Sequence, residues 1–223
     1  MSTTLTTTSY AILGLLAVKP WTTYELTQQM DRSLGRIWPR AQSKLYEEPK
    51  KLVALGLARA TEERVGKRPR TRYAITPKGR RALARWLAEP SQPPSLEAEH
   101  LVKMFFAEHG TKADALATLA AARAWAAERH AGSLAAGEAY LAGAAPFQQR
   151  AAQTMLVGTF LSDLYALVAE WADWASEQVE RWPDDPTQAL PHRADFEAVV
   201  ERARRQAETL GADGEVDTGE LGR

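Results

Sequence analysis

Cysteine is missing from all 223 residues of the chain, which excludes disulfide staples, thiolate metal ligands and cysteine nucleophiles together. Histidine is scarce. Its four positions, His100, His109, His130 and His192, show no His-Glu-x-x-His spacing, and neither a Gly-rich phosphate loop after a strand nor a Gly-x-Ser-x-Gly elbow occurs. No enzyme, metal site or cofactor is therefore expected. The opening MSTTLTTTSY lacks the positive start and apolar stretch of a signal peptide, and no apolar run reads as approaching the roughly 20 residues of a membrane helix. The expectation is a cytoplasmic protein with no membrane partner.

Charge is plentiful and unevenly placed. The formal net charge of zero conceals a basic stretch, residues 1–90, with 17 Lys and Arg against 7 Asp and Glu, and an acidic remainder that cancels its +10. Such asymmetry points to a nucleic-acid partner for the basic part. Pro90-Ser-Gln-Pro-Pro-Ser95 marks the break, because three prolines in five residues continue neither a helix nor a central strand. The expected organisation is a domain over residues 1–89, a linker over 90–95, an Ala-rich region of three or four helices over 96–210, and a small, acidic, disordered tail over 211–223.

In the basic part, Tyr10-Ala-Ile-Leu-Gly-Leu-Leu-Ala17 reads as a short apolar helix with Thr8 or Ser9 as its cap, and Thr22 or Thr23 caps a second helix through Tyr24, Leu26, Met30 and Leu34. A third helix begins near Arg40. Its Ala41, Leu45, Leu52, Val53 and Leu55 face inward, while Gln42, Ser43, Tyr46, Glu47 and Lys50 fall on the other side, with a kink expected at Pro49. Past the stop at Gly56, residues 57–65 and 71–75 flank the turn-forming Gly66-Lys-Arg-Pro-Arg70 as a two-stranded hairpin, and Thr76-Pro77 opens a further helix. Three helices, a basic hairpin and a helix form the layout of a winged helix-turn-helix, whose third helix enters the major groove while the wing touches the backbone or minor groove. Arg40, Gln42, Ser43, Tyr46 and Lys50 would meet bases and phosphates, and Arg64, Lys67, Arg68, Arg70 and Arg72 crowd five cations around the turn.

Tyr10-Ala-Ile-Leu-Gly-Leu-Leu16, Thr23-Tyr-Glu-Leu26, Ser43-Lys-Leu-Tyr-Glu-Glu-Pro-Lys-Lys-Leu52, Leu55-Gly-Leu57 and Arg72-Tyr-Ala-Ile-Thr-Pro-Lys-Gly-Arg80 resemble, in order, the signatures of PadR-type transcriptional regulators. The resemblance covers about residues 8–89; the helical remainder is similar only in character to the longer subfamily with an extended C-terminal helical domain. It implies a mainly α protein, with an N-terminal winged helix-turn-helix and a C-terminal all-α dimerisation domain. It further implies a homodimeric repressor on a palindromic double-stranded DNA operator, often released by a small phenolic or drug-like molecule. The DNA-contacting set is then Tyr24, Arg40, Gln42, Ser43, Lys44, Tyr46, Lys50, Arg64, Lys67, Arg68, Arg70 and Arg72. A winged helix that binds protein as an adaptor is the alternative.

In the acidic part, Val157, Phe160, Leu164, Leu167, Trp171 and Trp174 recur at alternating spacings of three and four, a heptad seam for a helix of the same chain or the mate in a dimer. Dimerisation has a second warrant, since a two-fold pair reads two half-sites about 34 Å apart. Thr111 with Asp114 reads as a helix start, and Ala120–Ala122 as a surface for close helix approach. Among Trp125, Trp171, Trp174 and Trp182, the candidates for a flat aromatic effector are Trp171 and Trp174.

Overall fold

The computed structural model describes residues 4–39, 42–65 and 68–211. Arg40, Ala41, Gly66, Lys67 and the tail beyond Gly211 lie outside the described residues, so the expectations that fall on them are not met with structure here. The chain divides into two compact units, Met1–Ser95 and Leu96–Arg223. The first runs α1 (Thr7–Val18), β1 (Trp21–Thr22), α2 (Thr23–Leu34), α3 (Gln42–Ala54), β2 (Ala58–Val65), β3 (Arg68–Ile75) and α4 (Pro77–Ala88). This is the expected winged helix-turn-helix with one more strand. β1 pairs antiparallel with β3, giving a sheet of order β1-β3-β2. A two-residue strand is too short for alternation to announce it.

α1 is apolar on several sides because neighbours surround it. It packs on α2, α3, α4 and β3, burying Ile12, Leu13, Leu15 and Leu16. Leu26, Met30, Leu45, Leu52, Leu57 and Tyr73 complete this core, and each aliphatic side chain taken fully out of water contributes about 1.5–3 kcal/mol. The cap of α1 is Thr6, not Thr8 or Ser9: Thr6 Oγ1 accepts the Ser9 N–H while Ser9 Oγ accepts the Thr6 N–H, a reciprocal box with Ser9 at its third position. The cap of α2 is Thr22, with Glu25 closing the same device.

Pro49 does not interrupt the third helix, which continues from Gln42 to Ala54. Its ring is wholly buried, so Leu45, Pro49 and Leu52, at i, i+4 and i+7, form the inward face. The helix ends in a Schellman motif, with Leu57 N–H on the Leu52 carbonyl and Gly56 N–H on the Val53 carbonyl. Gly56 takes φ +69° there, a conformation that glycine adopts without a Cβ penalty. The second strand of the hairpin starts earlier than expected. β2 and β3 pair as far as Val65 with Arg68, so Arg68, Pro69 and Arg70 belong to strand, and Pro69 is tolerated because β1 does not reach that end of β3.

The second unit holds α5 (Glu99–Phe105), α6 (Lys112–Leu141), α7 (Ala151–Glu180) and α8 (Arg193–Leu210), joined in part by short 3₁₀ turns. α6 starts at the expected Thr111–Asp114 box. α6 and α7 form a long antiparallel hairpin in which small residues permit close approach: Ala115, Leu119, Ala122 and Ala126 of α6 are buried, as are Leu161, Tyr165, Ala172, Ala175 and Val179 of α7. Of the expected Ala120–Ala122 surface only Ala122 is buried; Ala120 and Ala121 point to solvent because the contact stripe follows the helical period. Lys112 Nζ donates to the Glu180 and Trp182 carbonyls at 2.6 and 3.0 Å, closing the end of α7. Trp125 meets Tyr165 edge-on at 5.4 Å, and Arg123 pairs with Asp173 at 2.6 Å.

α7 corrects one expectation. It carries an 18-residue window of mean hydropathy 1.3, long and apolar enough by composition to cross a membrane, with only 11% of that window buried. The run escapes a simple reading because Asp163 interrupts it.

Gly79 supplies a direct test of how α4 meets the sheet. A Cβ there would stand 2.1 Å from the Leu57 carbonyl oxygen and 2.9 Å from Ile75 Cγ1. Gly79→Ala should lower stability by about 1–3 kcal/mol through overpacking, read as a lower midpoint in thermal or urea unfolding. An unchanged midpoint would show that the approach relaxes freely.

Candidate nucleic-acid interface

The burial of Leu45, Pro49 and Leu52 leaves the opposite side of α3 to solvent. Tyr46 is 40% exposed there, and Lys50, one turn further on, is exposed and paired with Glu47 at 3.0 Å. The hydrogen bond from Lys50 to the Glu47 carboxylate holds its ammonium above the ordinary lysine value, so it is a cation under all ordinary conditions. Gln42, Ser43 and Lys44 form the first turn of α3; their side chains, like Arg40, lie outside the described residues. Tyr24, 65% exposed, stands in the first turn of α2, where its hydroxyl accepts from Gln28 Nε2 at 2.7 Å.

Arg70 is exposed on β3, in register with Glu63 of β2. Arg64 and Arg68 occupy the outer ends of the two strands, with side chains outside the described residues, as is Lys67. Arg72 is engaged within the protein. Its Nε donates to both Glu63 oxygens at 2.9 Å, and its Nη1 lies 3.7 Å from Glu25 Oε2 and 3.4 Å from the Pro20 carbonyl oxygen.

Several contacts that hold α3 in place left no mark in the sequence pattern. Buried Ser9 donates to Glu48 Oε2 at 3.0 Å, and Lys51 Nζ reaches the Thr4 carbonyl at 3.0 Å, so the N-terminal turn of α1 is tied to the inner flank of α3. Trp38 Nε1 donates to Thr8 Oγ1 at 3.0 Å, anchoring the segment between α2 and α3. Lys78 Nζ donates to the Leu55 carbonyl at 2.8 Å. Polar ties of this kind depend on long-range approach and have no sequence period.

In the second unit most of the seam residues face away from the α6 core. Val157, Phe160, Leu167 and Trp174 are 40–64% exposed, and Leu164 is half-buried. Trp171 is half-buried, lying 5.5 Å from His100 and packing on the cluster of Ala107, Ala115, Leu119, Ala175 and Val179. Trp174 instead borders a cleft of about 280 Å³ with Trp182, Pro191, His192 and Phe196, where Arg181 pairs with Asp195 at 3.0 Å. The two candidate effector tryptophans are thus separated.

A three-helix core and a wing on a three-stranded sheet define a winged helix-turn-helix. Residues 12–85 match the Transcriptional regulator PadR-like family. It is 36% identical over 85 residues to the Probable transcriptional regulator Rv1176c of Mycobacterium tuberculosis, covering 38% of this chain and 45% of that one. It is 31% identical over 99 residues to the Negative transcriptional regulator PadR of Bacillus subtilis, covering 44% and 54%. The chain therefore spans about half the length of these curated relatives. In three dimensions it is similar to Bacillus subtilis PadR solved with operator DNA, at a TM-score of 0.70 and 22% identity over 79% of this chain and 99% of that one. The same protein solved with p-coumaric acid gives 0.61 and 22% over 80% and 99%.

The Thr22–Glu25 box carries a pH signature. The Thr22 backbone N–H on its carboxylate, then the Thr22 hydroxyl and the nearby Arg72, hold Glu25 below its ordinary value of 4.5. Its stabilisation is therefore complete above the unfolded value and is lost as pH falls through the lower folded one. Glu25→Gln should be less stable than the parent at neutral pH, with the difference closing on acidification in a circular-dichroism unfolding series. A difference independent of pH would show that the ionised carboxylate is not its source.

Proposed function

We propose that the chain is a sequence-specific DNA-binding transcriptional repressor that grips a palindromic operator as a homodimer and is released by a small aromatic effector. The observation that carries this reading is the α3 face, where Tyr46 and Lys50 stand exposed opposite a buried Leu45–Pro49–Leu52 face on the fold that PadR presents to DNA in its operator complex. The +10 charge of residues 1–90 supports it, since neutralising phosphates releases counterions and supplies affinity independent of sequence. α3, with Gln42, Ser43, Lys44, Tyr46 and Lys50, reads base edges, and Tyr24 and the outer wing cations Arg64, Lys67, Arg68 and Arg70 hold the backbone.

Homodimerisation is supported by the apolar surface that the second unit leaves uncovered. Val157, Phe160, Leu167 and Trp174 stand out along one stripe of α7, and α8 has no buried residue although Phe196, Val199 and Val200 line one side of it. Large apolar side chains left exposed along a helix stripe suit an interaction surface. This reading also accounts for the apolar window of α7 without a membrane. For the effector, the Trp174 cleft at the α7–α8 end is favoured over Trp171, whose ring already packs on the α6–α7 core; indole faces suit a flat aromatic guest.

A duplex selected from a random pool by the protein itself should bind with a log-log salt slope of about −0.9 per phosphate neutralised. Tyr46→Ala or Lys50→Ala should weaken that binding about tenfold or more, on the scale of 1–3 kcal/mol per base contact, while sedimentation still reports a dimer. Unchanged affinity would remove those residues from the interface, and failure of any duplex to bind would favour the protein-binding adaptor. Phe160→Asp should convert the dimer to monomer in sedimentation; a persistent dimer would place the partner surface elsewhere.

A further inference from the structure

We propose that Arg72 is a positioning residue rather than a phosphate contact: it braces the root of the wing against the start of the helix-turn-helix and so sets where the wing cations meet DNA. The inference rests on the DNA-binding reading above and turns on where the third strand stops. β1 covers β3 only at Tyr73 and Arg72. From Thr71 to Arg68, β3 has β2 as its partner and no third strand, and a two-stranded ribbon is marginally stable on its own. Arg72 is thus the last residue of β3 with support on both sides.

Its side chain spans that boundary. On β2 its register partner is Thr61, and its guanidinium reaches diagonally two residues toward the tip, taking both oxygens of Glu63 at 2.9 Å. On the other side it approaches the Pro20 carbonyl, just before β1, and Glu25 in the first turn of α2. Glu25 Oε2 simultaneously accepts the Thr22 N–H at 2.8 Å and hydroxyl at 2.9 Å. One guanidinium therefore links β2, the β1 approach and the α2 cap, its Nε turned to Glu63 and its Nη1 to Pro20 and Glu25 across one rigid plane. All three side chains are a third or more exposed, so the brace adds little to global stability. Its effect falls on wing direction, which a hinge at this point would otherwise leave loose. The hydrogen bond that Arg72 donates to Glu63 also raises the Arg72 pKa above the arginine norm, in keeping with a guanidinium engaged within the protein.

Two substitutions separate positioning from charge. Arg72→Lys keeps the cation but cannot span the same partners, and Glu63→Gln removes an anion from a DNA-facing wing. If Arg72 is a brace, both should weaken binding of the selected duplex about five- to tenfold with the salt slope unchanged, because no phosphate contact is lost. If Arg72 serves only as charge, Arg72→Lys would bind as the parent does and Glu63→Gln would bind tighter; either result overturns the proposal.

A second measurement needs no DNA. In the free, full-length protein, amide hydrogen exchange across β2 and β3 should quicken in both variants while α1 amides and the thermal midpoint hold. Equal exchange in parent and variants would also overturn the brace. Failure of the parent to bind any duplex would count against the DNA-binding reading alone, leaving the exchange experiment to judge Arg72.

Discussion

Burial of α1 is the constraint on which the first unit depends. A helix with Ile12, Leu13, Leu15 and Leu16 withdrawn from water presents apolar surface in several directions, so it needs neighbours in each. α2 and α3 pack against it, α4 covers another side, and the sheet meets it through β3. The stacking of Tyr10 on Trp86, ring centroids 4.8 Å apart and nearly parallel, extends the α1–α4 contact outward. Because α3 lies on this post by its Leu45–Pro49–Leu52 face, the opposite face is committed to solvent before any partner arrives. The proposed DNA surface is in this sense the complement of the core.

Charge acts within that frame in two ways. Some cations stay in solvent, as Arg70 does, available to a polyanion. Others are drawn into the fold: Lys78 caps α3, Lys51 ties α3 to the chain before α1, Lys112 closes α7, and Arg72 joins wing to helix. The +10 of residues 1–90 therefore overstates the charge that faces outward. A charge count measures attraction to DNA at long range, whereas geometry decides which side chains can touch it.

The second unit follows the reverse logic. Its α6–α7 hairpin is packed with alanines where the helices approach closely, and the larger apolar side chains, Phe160, Leu167, Phe196 and Val199 among them, are left outside. An arrangement that leaves such large apolar side chains in water forgoes the stabilisation that their burial would give. It makes sense if the outer stripe is covered by a second copy.

Local chemistry alone determined much of this protein. The helix starts at Thr22, Thr76 and Thr111, the stop at Gly56, the apolar face of α3 and the order of helices and hairpin all rest on contacts within a few residues, and these were legible in the sequence. So was the cationic wing as a composition. What only the tertiary structure decided depends on residues far apart. Pro49 read as a kink and became part of the core, because its place on the buried face outweighs its missing hydrogen bond. β1 exists only because β3 lies beside it. Most of the α7 seam, legible as a stripe, turned out to face away from α6, with Trp171 the exception. Arg72, one of five like cations in the sequence, became the one whose partners are Glu63 and Glu25, since a strand register and a helix cap had first to bring those carboxylates within its reach.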